Sequence, residues 1–325
     1  MSDTAILAVV GCGNIGSRVL QALAKLERPV TIYAIDPAAA ALVRARERVA
    51  ELAAAVRVRI VYVDSIAALP GAVDLAFVTT CADTRRCIVE ALLDHTRVRY
   101  LVLEKFLFQR AADYAAVGFR LAAAGTRCWV NLVRRAWPGY QVLRERLGGD
   151  HRLEMLAMGP DFRLACNAVH YIDLYAFLSG AHVSQLDGSD LDKELIASRR
   201  DGFRELSGIL RGYGVERRRV TLASFRSSQL PFVIQFITPS LHWIVREAER
   251  KAWCADSETG WAWREIDFTA LDMSSMTGAY AQILNHGSSI LPTFEESTED
   301  HLNLLAVYNR HWFGVNVADA TCPIT

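Results

Sequence analysis

The chain has 325 residues, of which 52% are hydrophobic and 22% charged, so it can bury a large core and is long enough for two domains. Lysine plus arginine and aspartate plus glutamate are equal at 36 each, which argues against a nucleic-acid partner held by a basic surface. Seven cysteines without metal-ligand spacing favour reduced thiols, a cytoplasmic protein and no metal site. No apolar run approaches the ~20 residues that cross a bilayer, so we expect no membrane partner.

The first 133 residues alternate short apolar runs with segments of helical periodicity. Parallel strands need helical crossovers, so this order predicts a doubly wound parallel sheet, that is, an α/β Rossmann domain over residues 1–133. The predicted strands are Ala5–Val10, Val30–Ile35, Val58–Val63, Leu75–Val78, Tyr100–Leu103 and Cys128–Val133.

The pattern changes over residues 134–325, where strands follow one another with short turns. Such a series predicts an α+β domain with a large, mostly antiparallel open sheet. We expect this domain to bind substrate and to form oligomers, and its last helix can pack back on the Rossmann domain. The predicted strands are Leu153–Met158, Phe203–Tyr213, Val220–Phe225, Phe232–Ile237, His242–Ala248 and Trp261–Phe268.

A glycine-rich turn follows the first strand and has the GxGxxG spacing of a dinucleotide fingerprint. Asp36 lies 20 residues after the last glycine, where a carboxylate accepts hydrogen bonds from the adenosine ribose and repels a 2′-phosphate. NAD is therefore favoured over NADP. A methyltransferase also has a glycine-rich first turn, but six strands fit a dinucleotide better. The predicted cofactor-binding residues are Gly11, Gly13, Asn14, Ile15, Gly16, Asp36, Thr80 and Glu104.

Three further segments resemble the glucose–fructose oxidoreductase/inositol dehydrogenase (Gfo/Idh/MocA) family. They are Leu103-Glu104-Lys105, the segment His170-Tyr171-Ile172-Asp173-Leu174 with Gly180 after it, and Leu291-Pro292-Thr293-Phe294-Glu295-Glu296 followed by His301. The resemblance implies an NAD(P)-dependent oxidoreductase that acts on a CH–OH group of a sugar, cyclitol or related polyhydroxylated compound. It also implies a homodimer or homotetramer formed through the C-terminal sheet.

The chain departs from the family pattern at two positions. Phe106 follows the Glu-Lys pair where the family has a proline, which leaves the local backbone open. Cys166 stands four residues before His170, where family members that oxidise sugar hydroxyls usually have an aspartate. Asn167 beside it offers a partial substitute.

Lys105, His170 and Asp173 are the candidate catalytic residues. Lys105 follows a central strand, at the edge where open α/β sheets bind ligands, so its ammonium can polarise a substrate oxygen. His170 and Asp173 lie three residues apart on a predicted helix, close enough for the carboxylate to orient the imidazole. The alternatives are a solvated loop lysine and a buried polar network. The candidate substrate-binding residues are Asn131, Arg134 and Asn167.

Two other functions stay open alongside the dehydrogenase of a small polyhydroxylated substrate. An enzyme that retains and recycles NAD would catalyse epimerisation, or elimination and hydrolysis, through a transient ketone. A dinucleotide-binding regulator without catalysis is favoured by Phe106 and Cys166, whereas Lys105 and His170 speak against it.

Overall fold

A computed structural model describes residues 4–52, 58–148, 152–194, 196–215, 218–226, 229–314 and 320–325. The chain divides into two compact units. The first comprises residues 1–108, 112–136 and 271–297, and the second comprises residues 109–111, 137–270 and 298–325.

The strands and helices alternate in the first part of the chain, as the sequence pattern predicts. The strands are β1 Ala5–Val10, β2 Val30–Ile35, β3 Val58–Val63, β4 Ala72–Val78, β5 Arg97–Leu103, β6 Arg127–Val130, β7 Glu154–Pro160, β8 Gln185–Leu191, β9 Ile196–Ala197, β10 Arg204–Glu205, β11 Gly208–Tyr213, β12 Arg219–Phe225, β13 Val233–Ile237, β14 Leu241–Arg246, β15 Lys251–Asp256 and β16 Arg264–Asp267. The helices are α1 Asn14–Leu23, α2 Ala39–Ala50, α3 Ala82–His95, α4 Ala111–Ala124, α5 Pro138–Leu147, α6 Leu164–Ser179, α7 Thr277–His286 and α8 Phe294–Phe313.

The sheet of the first unit has six strands among the described residues, in the order β3-β2-β1-β4-β5-β6. All neighbouring strands are parallel. The strand order reverses between β1 and β4, which is where ligands of doubly wound sheets bind. The prediction of a parallel Rossmann sheet is confirmed, and β1, β2 and β3 have the predicted bounds.

The sixth strand is shorter than predicted. Val130 is its last residue, and the backbone N–H of Leu132 then bonds back to the Val130 carbonyl, which takes the chain out of the sheet. Val133–Ala136 forms a 3₁₀ helix instead of the end of a strand. Leu132, Val133 and Ala136 are buried although they lie outside the strand, so hydrophobicity alone did not distinguish the strand from the 3₁₀ helix.

The second unit contains a sheet of eight strands among its described residues, in the order β16-β15-β14-β13-β7-β12-β11-β8. Only β7 and β12 pair in parallel in it, so the prediction of a mostly antiparallel open sheet is confirmed. α6 packs on β12.

Several strand predictions for this unit were wrong in detail. The predicted strand 203–213 is broken, because Gly208 has a φ of +97° that separates β10 from β11. The predicted strand 261–268 is shortened to β16, and β8 and β15 were not predicted at all. β8 has the sequence Gln-Leu-Asp-Gly-Ser-Asp-Leu, which lacks the alternation of apolar and polar residues on which such predictions depend.

One face of the eight-stranded sheet carries several half-exposed apolar side chains. In β14 the side chains of Leu241, Trp243 and Val245 are buried, whereas those of His242 and Ile244 are partly exposed. The strand pairing places Ile244 between Gln235 of β13 and Trp253 of β15 on that face. Other apolar side chains on the same face are Leu156, Met158, Ile209, Val233 and Ile237.

We expect this face to be covered by a second copy of the chain, because apolar sheet surface of this extent is costly in water. Ile244→Glu should dissociate the oligomer, since it places a charge in the middle of the face. Sedimentation equilibrium should give a multiple of 36.1 kDa for the wild type and about one chain mass for the variant. Phe119→Glu is the control, because Phe119 is an apolar side chain that is 74% exposed in the first unit. A wild-type monomer at micromolar concentration would contradict the expectation.

Candidate functional site

The loops after β1, β2, β4 and β5 meet at the carboxyl edge of the six-stranded sheet. A close backbone approach between two glycines defines the first of these loops. A Cβ atom on Gly16, in the first turn of α1, would lie 1.9 Å from the carbonyl oxygen of Gly11. Gly11 itself has a φ of +92°, where L side chains are strained. Both glycines are therefore required for α1 to start directly behind β1.

The N-terminus of α1 fits the pyrophosphate of a dinucleotide. Its N-cap residue is Gly13, no side chain caps it, and its first turn carries no acidic residue. A Cβ atom on Gly13 would meet no atom within 4 Å, so the space in front of the helix is open. An uncapped helix N-terminus offers backbone N–H groups and the positive end of the helix dipole to an anion. The hydroxyl of Thr80 is buried beside this loop and has no hydrogen-bond partner among the described residues.

Asp36 follows β2, and its carboxylate is held in place by the backbone. Oδ2 accepts a hydrogen bond from the Cys12 N–H at 2.8 Å, and Oδ1 accepts one from the Ala38 N–H at 2.9 Å. The carboxylate therefore lies beside the glycine loop, as the 20-residue spacing suggested. Burial, and then the charge of Asp36, raise the pKa of the Cys12 thiol to about 12, so this thiol stays protonated and unreactive at neutral pH.

Two other residues of the fingerprint have structural partners. The side-chain oxygen of Asn14 accepts a hydrogen bond from Arg48 Nη1 at 3.0 Å, which links α1 to α2. Ile15 is half-buried against the core of the first unit. Thr79 was not predicted as a site residue. Its hydroxyl donates to the Gly11 carbonyl at 2.5 Å, which joins the loop after β4 to the glycine loop.

A polar chain of three buried side chains, Glu104, Asn131 and Tyr280, lies behind Lys105. Glu104 is 7% exposed, and its Oε2 accepts a hydrogen bond from Asn131 Nδ2 at 2.9 Å. The Oδ1 of Asn131 in turn accepts one from the Tyr280 hydroxyl at 2.9 Å. Burial raises the pKa of Glu104, and this shift is opposed by the charge of Lys105, the hydrogen bond from Asn131 and the charge of Arg85.

Arg85 of α3 is almost fully buried and binds the loops after β4 and β5 together. Its guanidinium donates to the carbonyls of Phe106 and Leu107, and to that of Thr80. Burial lowers the pKa of Arg85 to about 10, while the charge of Glu104 acts in the opposite direction. The Lys105–Phe106 peptide bond is cis.

In the second unit, α6 carries His170 and Asp173 within one helical turn. Asp173 is 1% exposed, and the Nδ1 atom of His170 is buried. The helix ends at Gly180, which has a φ of +71° and acts as a left-handed cap. Val169 and Ile172 on the same helix are fully buried.

The start of α6 shows what surrounds the cysteine that departs from the family pattern. The backbone N–H of Cys166 donates to Glu205 Oε2 at 3.3 Å, so a buried carboxylate from β10 lies at the positive end of the helix. Asn167 donates from its amide to the Phe162 carbonyl at 2.7 Å. Glu205 could not be found from the sequence, because it lies 39 residues away and has no motif around it.

The roles predicted for the other residues remain predictions. Arg134 is half-buried in the 3₁₀ helix after β6. Asn131 is only 1% exposed, and its amide is engaged at both ends by Glu104 and Tyr280. Tyr280 and Arg85 were not predicted as site residues, because each reaches the site from a helix that the motifs do not include.

Two observations on the described residues concern metal ions and membranes. No group of three or more histidine, cysteine, aspartate or glutamate side chains among them is arranged to hold a metal ion. None of the helices in the described ranges is both long and apolar enough to cross a membrane.

The glycine loop, Asp36 and the uncapped α1 define the class of protein as one with a dinucleotide-binding Rossmann domain. A family model confirms this class: the Gfo/Idh/MocA model, described as an oxidoreductase family with an NAD-binding Rossmann fold, matches residues 6–132. The N-terminal domain therefore belongs to the Gfo/Idh/MocA oxidoreductase family. The sequence of the chain matches none of the curated proteins.

Solved structures share the fold over both units. UDP-N-acetylglucosamine 3-dehydrogenase GnnA from Acidithiobacillus ferrooxidans is 16% identical, with a TM-score of 0.70 and 98% of each chain covered. An oxidoreductase from Agrobacterium radiobacter, solved with NAD⁺, L-tartaric acid and magnesium, is 14% identical, with a TM-score of 0.73 over 96% of this chain and 98% of that one. The transcriptional regulator Gal80p from Kluyveromyces lactis is also 14% identical, with a TM-score of 0.70 over 98% of this chain and 95% of that one.

The two ends of the fingerprint should respond differently to an added methyl group. Gly13→Ala should change the free energy of unfolding by no more than about 1 kcal/mol, because the methyl meets no protein atom, yet weaken NADH binding at least about tenfold. Gly16→Ala should destabilise the protein by about 2–3 kcal/mol or more, because its methyl collides with the Gly11 carbonyl.

Urea unfolding and NADH titration measure the two effects separately. Gly278→Ala in α7 is the control, since a methyl there also meets nothing within 4 Å, and it should leave NADH affinity unchanged. Wild-type NADH affinity in Gly13→Ala would show that the cofactor does not approach this helix.

Proposed function

We propose that the protein is an NAD-dependent dehydrogenase or reductase that acts on a CH–OH or carbonyl group of a small polyhydroxylated compound, such as a sugar or cyclitol. The observation that carries the proposal is the carboxyl edge of the six-stranded sheet, where the open N-terminus of α1 and the Glu104-Lys105 pair belong to the same unit. The similarity in fold to UDP-N-acetylglucosamine 3-dehydrogenase supports a sugar-like substrate.

The chain's own residues have distinct tasks in this proposal. Nicotinamide, when bound, exchanges a hydride with the substrate carbon. Gly13 and the N-terminus of α1 hold the pyrophosphate, and Asp36 holds the adenosine ribose. Lys105 donates a hydrogen bond to the substrate oxygen and stabilises its negative charge. His170 is the proposed proton-transfer residue of the second unit, and Asp173 orients its imidazole.

The choice of NAD over NADP rests on Asp36. Its two oxygens accept backbone hydrogen bonds from Cys12 and Ala38, so the carboxylate is held in place beside the glycine loop. A 2′-phosphate brought to this carboxylate would face a like charge, whereas ribose hydroxyls can donate to it.

NADH should therefore bind at least about tenfold more tightly than NADPH, which corresponds to ~1.4 kcal/mol. Asp36→Ser should reduce the preference for NADH over NADPH, since it removes the charge that repels the 2′-phosphate. Quenching of tryptophan fluorescence measures both affinities, and Asp64→Asn, a change at an exposed aspartate directly after β3, is the control. NADPH binding as tight as NADH binding in the wild type would overturn the assignment.

Lys105→Met and His170→Asn should each lower kcat by about 10²–10⁴-fold and change NADH affinity only a few-fold, because both act on the chemical step. If the two residues serve the same substrate oxygen, the double variant should lose less than the product of the single losses. Lys25→Met and His286→Asn, at exposed positions, are the matched controls. Normal turnover by His170→Asn would assign α6 a purely structural role.

A regulator that binds a dinucleotide without turnover is the second candidate. Cys166 favours it, because a backbone-bonded cysteine replaces the usual aspartate, and the similarity in fold to the regulator Gal80p is consistent with it. A screen of polyhydroxylated compounds with NAD⁺ separates the two, since only the enzyme produces NADH. Reaction without added cofactor, with NAD found in the purified protein, would instead indicate a retained and recycled cofactor.

A further inference from the structure

The polar chain behind Lys105 contains a tyrosine that neither the motifs nor the proposed reaction explains. Tyr280 is fully buried on α7, and its ring packs edge-on against Phe77 of β4 with 4.8 Å between the centroids. Hydrophobic packing at this position is equally served by phenylalanine. The hydroxyl therefore has a separate role, and its hydrogen-bond partner is the amide of Asn131.

The hydroxyl fixes which way the Asn131 amide faces. When the tyrosine donates to Oδ1, the Nδ2 group must point at Glu104 and donate to its carboxylate. The sulfur of Met273 lies 3.3 Å from the hydroxyl and 3.5 Å from Nδ2. Thioether sulfur is a weak acceptor, so the single hydrogen of the hydroxyl goes to the amide oxygen of Asn131. A rotated amide would set its own oxygen against the carboxylate, which is favourable only if Glu104 is protonated.

The charge of Glu104 depends on this hydrogen bond. Burial raises the pKa of Glu104, so without compensation the carboxyl would tend to be neutral. The groups opposing that shift are Lys105, which also donates its backbone N–H to the carboxylate, the amide of Asn131, and Arg85. The guanidinium of Arg85 already donates to three backbone carbonyls. The Asn131 amide is the uncharged side-chain group that donates to Glu104.

We propose that Tyr280 is a positioning residue that holds the Asn131 amide with its Nδ2 donor on the carboxylate of Glu104, the residue next to Lys105 in the sequence. This inference rests on the proposed function, in which Lys105 donates to the substrate oxygen. It adds that a residue of α7 acts on Lys105 through two other side chains, those of Asn131 and Glu104.

The lysine content of the chain permits a direct measurement without substrate or cofactor. The sequence holds four lysines, and Lys25, Lys193 and Lys251 are exposed whereas Lys105 is half-buried. Acetic anhydride acylates only the neutral amine, and peptide mass spectrometry reads each lysine separately. The three exposed lysines thus serve as internal references in the same purified, full-length protein.

Tyr280→Phe should raise the acylation rate of Lys105 about three- to tenfold relative to the references, since tenfold corresponds to one pKa unit of lost charge stabilisation. Glu104→Gln should raise it at least as much. The double variant should gain no more than Glu104→Gln alone, because Tyr280 acts only through Glu104. Asn131→Leu, a second route to the same loss, should reproduce the gain if the tyrosine variant is poorly folded.

Tyr140→Phe is the matched control, because it removes a buried tyrosine hydroxyl that donates to the carboxylate of Glu247 at 2.6 Å in the second unit. The proposal is overturned if Tyr280→Phe leaves the Lys105 rate unchanged, if Tyr140→Phe raises it equally, or if the gain persists in the Glu104→Gln background. Failure to find any oxidoreductase substrate would overturn the proposed function. It would not affect the acylation rates of Lys105 or the link from Tyr280 to Glu104 that those rates test.

Discussion

The close approach of α1 to the end of β1 determines what the first unit can do. With only hydrogen at Gly16, the helix starts against the Gly11 carbonyl, and its N-terminus points at the carboxyl edge of the sheet. The loops after β2 and β4 are then fastened to the same turn, by Asp36 to the Cys12 N–H and by Thr79 to the Gly11 carbonyl. A methyl group on Gly16 would therefore push the helix away from the turn to which both loops are attached.

Around Lys105 the constraint is electrostatic. A carboxylate and a guanidinium buried in one unit are each costly to remove from water, and pairing recovers that cost only when their remaining hydrogen-bonding capacity is filled. Here both terminal nitrogens of Arg85 donate to backbone carbonyls, and Asn131 and the Lys105 N–H donate to Glu104.

Local sequence predicted the first unit well because its signals are short-range. Short apolar runs, followed by Gly11 and by Asp36, predicted the limits of β1 and β2 correctly. The spacing from Gly16 to Asp36 predicted a carboxylate that does lie beside the glycine loop. The second unit was harder, because β8 is polar and glycine-containing, and is a strand only through its pairing with β11. In the site, motifs found Glu104 and Lys105, whereas Tyr280 and Glu205 act through contacts distant in sequence that no local pattern encodes.

The binding of Arg85 to three carbonyls has a mechanical consequence. One rigid, planar group joins the loop after β4 to the loop after β5, so neither loop can open without breaking bonds to a donor that has no access to water. The two loops should therefore fluctuate as a single body, and their amides should exchange hydrogen at a common rate. A lysine in place of Arg85 would keep the charge but not the divergent planar set of donors, and would uncouple the two loops.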